Sequence, residues 1–176
     1  PDVLKTEREE LNEDEWCEIE KSIDTALQHL QTFRSDEGEV LKNDFVFRID
    51  AIKNNLEEVI ALDDDRLQAV RDRLQKAITE LKVTFDENRF EQEMIYYLEK
   101  LDITEEKVRL NNHLKYFLEE LEAGVSNGKK LGFISQEIGR EVNTIGSKAN
   151  FAPMQKMVVQ MKDELEKIKE QLLNVL

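Results

Sequence analysis

Three short stretches of this 176-residue chain concentrate side chains that do chemistry. In one, Asp102, Glu105, Glu106, Arg109 and His113 follow each other, and the spacing of Glu106, Arg109 and His113 sets them on one face of a helix. His113 is one of only two histidines; the other, His29, has no such neighbours. An imidazole within reach of carboxylates binds a divalent cation or passes protons near neutral pH. Upstream, Asn88 to Glu93 sets Arg89 beside Glu91 and Glu93. Downstream, Gly128 to Lys148 carries Gln136, Glu137, Arg140, Glu141, Asn143, Thr144 and Lys148. At about 100° per residue, Glu137, Arg140, Glu141, Thr144 and Lys148 share a face beside the apolar stripe, where water is scarce and charges need partners. Carboxylates with water suit magnesium or manganese, ions that activate water and neutralise charge in phosphoryl chemistry. Arginine clamps phosphate oxygens bidentately. The plainer reading is a helix crossing with satisfied salt bridges, since ion-pair networks imitate active sites.

The third stretch raises its own question. Four of the chain's six glycines, Gly128, Gly132, Gly139 and Gly146, fall within it. Each interior glycine costs a helix about 1 kcal/mol relative to alanine. Gly132 and Gly139 fall on a further face, where missing side chains let another backbone or a ligand come close.

These residues need a helical frame. Apolar residues recur at three and four through Trp16, Ile19, Ile23, Leu27, Leu30 and Phe33, then Leu41, Phe45, Ile52, Leu56 and Val59. Ser35 to Gly38 weakens the middle, so this is one very long helix or two in line. Asp63-Asp64-Asp65 caps a second helix with the stripe Leu67, Val70, Leu74, Ile78 and Leu81. Two matching stripes and a short connection predict an antiparallel hairpin. A shorter helix with Phe90, Met94, Tyr97 and Leu101 follows, then one with Val108, Leu110, Leu114, Phe117 and Leu121. A loop spans Gly124 to Gly128. The glycine-rich helix has Leu131, Ile134, Ile138, Val142 and Ile145 inward, and Ala149 to Pro153 ends it. The last carries Met154, Met157, Met161, Leu165, Ile168, Leu172 and Val175, close to a heptad; its methionines read as core filling. The expected fold is all-α: a long antiparallel hairpin, residues 1–84, then a bundle of about four helices, residues 85–176.

The net charge is −14. Residues 1–65 hold 20 acids against 7 bases, so the acidity belongs to the N-terminal third and a polyanion would be met elsewhere. A single cysteine, Cys17, forms no internal disulfide, and a reducing, cytoplasmic setting is expected. No apolar run approaches the roughly 20 residues of a membrane span. A start on Pro1 reads as a piece cut from something longer.

The three stretches resemble the C-terminal region of the bacterial YicC family, also called stress-induced proteins. The resemblance runs over essentially the whole chain. It is densest in Asn88-Arg89-x-Glu91-Gln92-Glu93, in Asp102-x-x-Glu105-Glu106-x-x-Arg109-Leu110-x-x-His113, and from Gly128 through Phe133, Gln136-Glu137, Arg140-Glu141 and Asn143-Thr144 to Ser147-Lys148. Many members carry aspartate where this chain has Gly132, and Met-Asn at Ile138-Gly139. If that aspartate holds metal elsewhere, it is not essential here. The resemblance implies an endoribonuclease that cuts RNA with a divalent metal, Mn2+ or Mg2+, and assembles as a homo-oligomer, a hexamer. It implies no membrane or DNA partner, and a further N-terminal α/β domain absent from this chain.

On the matched residues, roles follow from residue type. Glu93, Glu106, Glu137, Glu141 and His113 are expected to hold metal. His113, Glu137 and Glu141 carry the chemistry, while Arg89, Arg109, Arg140 and Lys148 hold phosphate. Glu91, Asp102, Glu105, Gln136, Asn143 and Thr144 support them. Phe133 or Tyr96 would stack on a base, although core is the plainer place for both. The chain alone is expected to cut weakly or not at all. The alternative is a non-catalytic helical scaffold or adaptor in RNA metabolism or the stress response, to which a long acidic hairpin is suited.

Overall fold

The computed structural model describes residues 12–81, 86–123 and 127–175, with the side chains of Leu81 and Glu87 outside the description. Among the described residues there are six helices and no strand, the all-α architecture that the periodicity predicts. They are α1 (Glu13–Ala61), α2 (Asp63–Leu81), α3 (Glu87–Lys100), α4 (Thr104–Glu122), α5 (Gly128–Lys148) and α6 (Ala152–Leu172). The chain divides into two compact units, residues 1–42 and 43–176. The expected arm boundary at 84/85, the side chain of Leu81 and the loop residues 124–126 lie outside the described residues.

In the first unit, α1 starts on a reciprocal cap. Asn12 Oδ1 accepts the Glu15 N–H at 2.8 Å, and Glu15 Oε2 accepts the Asn12 N–H at 3.2 Å, so two orphan donors of the first turn are satisfied. The helix continues through Ser35–Gly38 without a break. Its expected apolar stripe, Trp16, Ile19, Ile23, Leu27, Leu30 and Phe33, lies in water, with each side chain 40–62% exposed.

In the second unit the end of α1 turns core-forming. Phe45, Ile49, Ile52, Leu56 and Val59 are buried. Phe45 meets Phe117 of α4 edge-on, ring centroids 5.8 Å apart, the arrangement aromatic quadrupoles favour. Arg48 donates to Asp44 at 2.8 Å and to Glu164 of α6 at 3.0 Å.

A single residue, Leu62, joins α1 to α2. Its N–H donates to the Glu58 carbonyl at 3.0 Å and its carbonyl accepts from Arg66 N at 3.0 Å. The connection is thus shorter than the two to eight residues usual between bundle helices. Just beyond it, Asp63 does not simply cap α2. Its Oδ1 accepts from Arg66 Nε at 2.8 Å and its Oδ2 from Lys107 Nζ of α4 at 2.6 Å. Arg66 is only 1% exposed and also donates to the Leu101 carbonyl at 3.1 Å. A guanidinium this deep survives because carboxylate and carbonyl replace its water. Among the described side chains of the expected α2 stripe, only Val70 is buried, with Leu67, Leu74 and Ile78 half-buried.

Asp86 caps α3, its Oδ1 accepting from Asn88 N at 3.0 Å and Arg89 N at 3.4 Å. Only Met94 of the expected α3 stripe is buried. Against this, the stripes of α5 and α6 behave as their periodicity predicts. Leu131, Ile134, Ile138, Val142 and Ile145 are buried on α5. On α6 Met154, Met161, Leu165 and Ile168 are buried, while Met157, Leu172 and Val175 of the expected stripe are half-buried and Val158, outside it, is buried.

The central element is α5, which packs against α4 on one side and α6 on the other. Its glycines explain the second contact. A Cβ on Gly146 would lie 2.9 Å from Val158 Cγ1, and one on Gly139 would lie 3.2 Å from Leu165 Cδ2. One on Gly128 would lie 3.2 Å from Val175 Cγ1. Their partners run backwards as the glycines run forwards, so α5 and α6 are antiparallel, with backbone brought close where side chains are missing. Gln155 fastens the connection, its Nε2 donating to the carbonyls of Gly146 at 2.7 Å and Ala149 at 2.6 Å. Gly132 differs, with nothing within 4 Å of the position a Cβ would take.

Candidate functional site

Two ion pairs fix the register of α4 against α5. At one end Lys148 Nζ lies 2.7 Å from Glu106 Oε1, and at the other Lys130 Nζ lies 2.6 Å from Glu120 Oε1. The helices are therefore antiparallel. His113 is seven residues beyond Glu106 and Glu141 seven before Lys148, each about 10.5 Å along its helix. The imidazole and the carboxylate thus belong to the same level of the seam.

Within this seam the charges are unequally compensated. Glu106 is 6% exposed. Its Oε1 accepts from Lys148, which also donates to the Asp102 carbonyl at 2.9 Å. Its Oε2 is buried with no hydrogen-bond partner, a state that costs about 1–3 kcal/mol or more for a charged group. Glu141, 8% exposed, makes no ion pair or hydrogen bond among the described residues. His113 is half-buried and likewise unpartnered there.

The other candidates are spent or lie apart. Glu137 pairs with Arg140 at 2.6 Å on the surface, and Glu105 pairs with Arg109. Asp102 Oδ1 accepts from Thr104 at 2.8 Å. Thr144 donates to the Arg140 carbonyl at 3.0 Å. Glu91, Glu93 and the Arg89 side chain are exposed on α3, and Gln136 and Asn143 are exposed on α5. Lys148, expected to hold phosphate, is instead bound to Glu106 and to the Asp102 carbonyl. Phe133 and Tyr96, for which core was the plainer place, are 67% and 66% exposed.

Among the described residues, no three His, Cys, Asp or Glu side chains come together to hold a metal ion. The expected set of Glu93, Glu106, Glu137, Glu141 and His113 therefore forms no preformed cage in one chain. The reason is local: Arg140 neutralises Glu137, Lys148 takes one oxygen of Glu106, and Glu93 belongs to another helix.

Sequence reasoning missed two clusters. One is the Asp63–Arg66–Lys107 network; its signal was the Asp–Arg spacing of three. The other closes the far end of the seam. Lys130 Nζ sits 5.1 Å from the centre of the Tyr116 ring, and Asn127 Nδ2 donates to Glu120 Oε2 at 3.2 Å. The hydrogen bond to Glu120, and then that to Tyr116, raises the Lys130 pKa.

An all-α protein results, in which facing helices supply the polar groups, as bundles do for their sites. Comparison with known proteins gives the class a family. The family model described as "Endoribonuclease YicC-like, C-terminal" matches residues 59–176, and the chain belongs to this family. It is 38% identical, over 99% of its length, to a "Probable endoribonuclease YicC" of Clostridioides difficile. It is 32% identical over the same share to the protein of that name in Haemophilus influenzae. The chain spans 61% of the length of each of these relatives. Among the described residues, no helix is long and apolar enough to cross a membrane.

Proposed function

We propose that this chain is the C-terminal part of an endoribonuclease and that the α4–α5 seam is where RNA is cut. The supporting observation is Glu141, a side chain 8% exposed with no ion pair or hydrogen bond among the described residues, at the level of His113 and inside the family segment. Unlike the enclosed Oε2 of Glu106, its carboxylate stays open to a partner from outside the chain. His113 and Glu141 then serve as the proton-handling pair, with the imidazole moving a proton to or from a ribose or phosphodiester oxygen. Arg109 on α4 and Arg140 on α5 are exposed. Their surface ion pairs with Glu105 and Glu137 are weak enough to yield to a phosphate.

Metal dependence is proposed in a limited form. Magnesium keeps several waters and is held through one or two carboxylates and substrate phosphates, so Glu141 fits such an ion where a cage is absent. Glu106, paired with Lys148 about 10.5 Å further along the seam, does not share the ion. When bound it would neutralise charge and activate water.

In a protein of the relatives' full length, cleavage of a single-stranded or hairpin RNA should appear with Mn2+ or Mg2+ and stop in EDTA. Glu141→Gln and His113→Gln should each lower the rate by about 100-fold or more, while Glu93→Gln retains it. Intact RNA under every condition would remove the nuclease reading. The 176-residue chain alone is proposed to cut weakly or not at all. Cytoplasmic residence and homo-oligomeric assembly belong to the same proposal, the latter checked by sedimentation.

One observation favours the scaffold reading as the alternative. The uncovered stripe of the first unit, from Trp16 to Phe33, suits a helix that docks on something else. RNA binding without cleavage under any metal condition would favour it.

A further inference from the structure

The outward face of α5 is unlike the rest of this acidic chain. Lys129, Phe133, Gln136, Arg140, Asn143 and Ser147 follow at alternating spacings of four and three, which confines them to an arc of about 80°. All are exposed. The face holds no carboxylate, although the chain carries a net −14; Glu137, paired with Arg140, stands at its edge. Near its N-terminal end an aromatic ring is left 67% exposed, giving up the gain that burial provides. Beside it, Gly132 leaves open space.

Resting on the nuclease reading, we propose that this face is a platform for single-stranded RNA, with Phe133 stacking on an unpaired base. Every base has a π-face, so a ring on a rigid helix binds without demanding a sequence. In a duplex both faces of a base are already stacked, so the platform selects unpaired strands. Lys129 and Arg140, eleven residues and about 16 Å apart along the helix, attract the backbone on either side of the stacked base. Gln136 and Asn143 offer donors and acceptors to base edges. The strip is about 27 Å long, room for several nucleotides.

The test is fluorescence anisotropy of a labelled RNA of about twelve nucleotides with the 176-residue chain, in EDTA so that nothing is cut. Phe133→Ala is expected to raise Kd by at least about five-fold for single-stranded RNA. It should leave binding to a duplex of the same length unchanged. Phe133→Trp, in a Trp16→Phe background, should retain binding and show quenched emission when RNA is added. Equal affinity of wild type and Phe133→Ala would overturn the platform, as would absence of binding by the wild type. Unchanged RNA binding with an altered sedimentation coefficient would overturn it too, and assign the face to contact between copies. The nuclease reading fails separately, when RNA is bound and the full-length protein never cuts it.

Discussion

Lys148 Nζ lies 2.7 Å from Glu106 Oε1, tying the last turn of α5 to the first turn of α4. The carboxylate is buried and its second oxygen has no partner, so removing the ammonium leaves a charge with nothing to hold it. Fully buried pairs lose about 3–5 kcal/mol when one member goes. The Lys148 side chain is 32% exposed, which lowers the expectation for Lys148→Met to about 1–3 kcal/mol. Urea unfolding measures it. The double variant Glu106→Leu/Lys148→Met should recover part of the loss, because no orphaned charge remains.

The glycines of α5 should respond in opposite directions. Gly132→Ala meets open space and should stabilise by about 0.5–1 kcal/mol through helix propensity. Gly146→Ala would set a Cβ 2.9 Å from Val158 Cγ1. There overpacking of about 1–3 kcal/mol outweighs that gain. Thermal melts of the two variants should shift to opposite sides of wild type, and Val158→Ala should relieve the second.

Asp63 holds two cations at once, at 2.8 Å to Arg66 and 2.6 Å to Lys107. Asp63→Asn leaves a guanidinium without its counter-charge in the core, and a loss of about 3–5 kcal/mol is expected. Chemical denaturation reports it. A loss within the surface-pair range of about 0–1 kcal/mol would mean that the Leu101 carbonyl suffices for Arg66.

The hydrogen bond to Glu120 raises the Lys130 pKa above the ordinary 10.5. The pair's contribution to stability is thus present below the unfolded lysine pKa and lost as pH rises through the folded one, in the alkaline range. Glu120→Gln should lower the Lys130 pKa in an NMR titration of lysine side chains. An unmoved titration would mean that the hydrogen bond to Tyr116, not the carboxylate, sets it.

How far residues alone carried the fold depended on whether each stripe had a neighbour. The Leu131–Ile145 and Met154–Ile168 stripes are buried because α5 and α6 face each other, with Gly139 and Gly146 at the shared edge. The Trp16–Phe33 stripe has the same period and lies exposed, since periodicity gives a face but no partner. At the site, wheel geometry grouped Glu137, Glu141 and Lys148, yet it could not tell which carboxylate a neighbouring cation would take. Arg140, three residues from Glu137, claimed one; Lys148 reached across to Glu106. Only Glu141 was left over, and Phe133 escaped the core because α5 already had two packed sides.

Leu62 leaves the chain no slack between α1 and α2. One inserted residue would turn everything downstream by about 100° and advance it by about 1.5 Å relative to α1, setting Phe117 and Glu164 out of register with Phe45 and Arg48. The joint behaves like a keyed shaft, in which angular phase rather than length is fixed. Peptide tags and length polymorphisms should therefore be rejected here although the position is only half-buried.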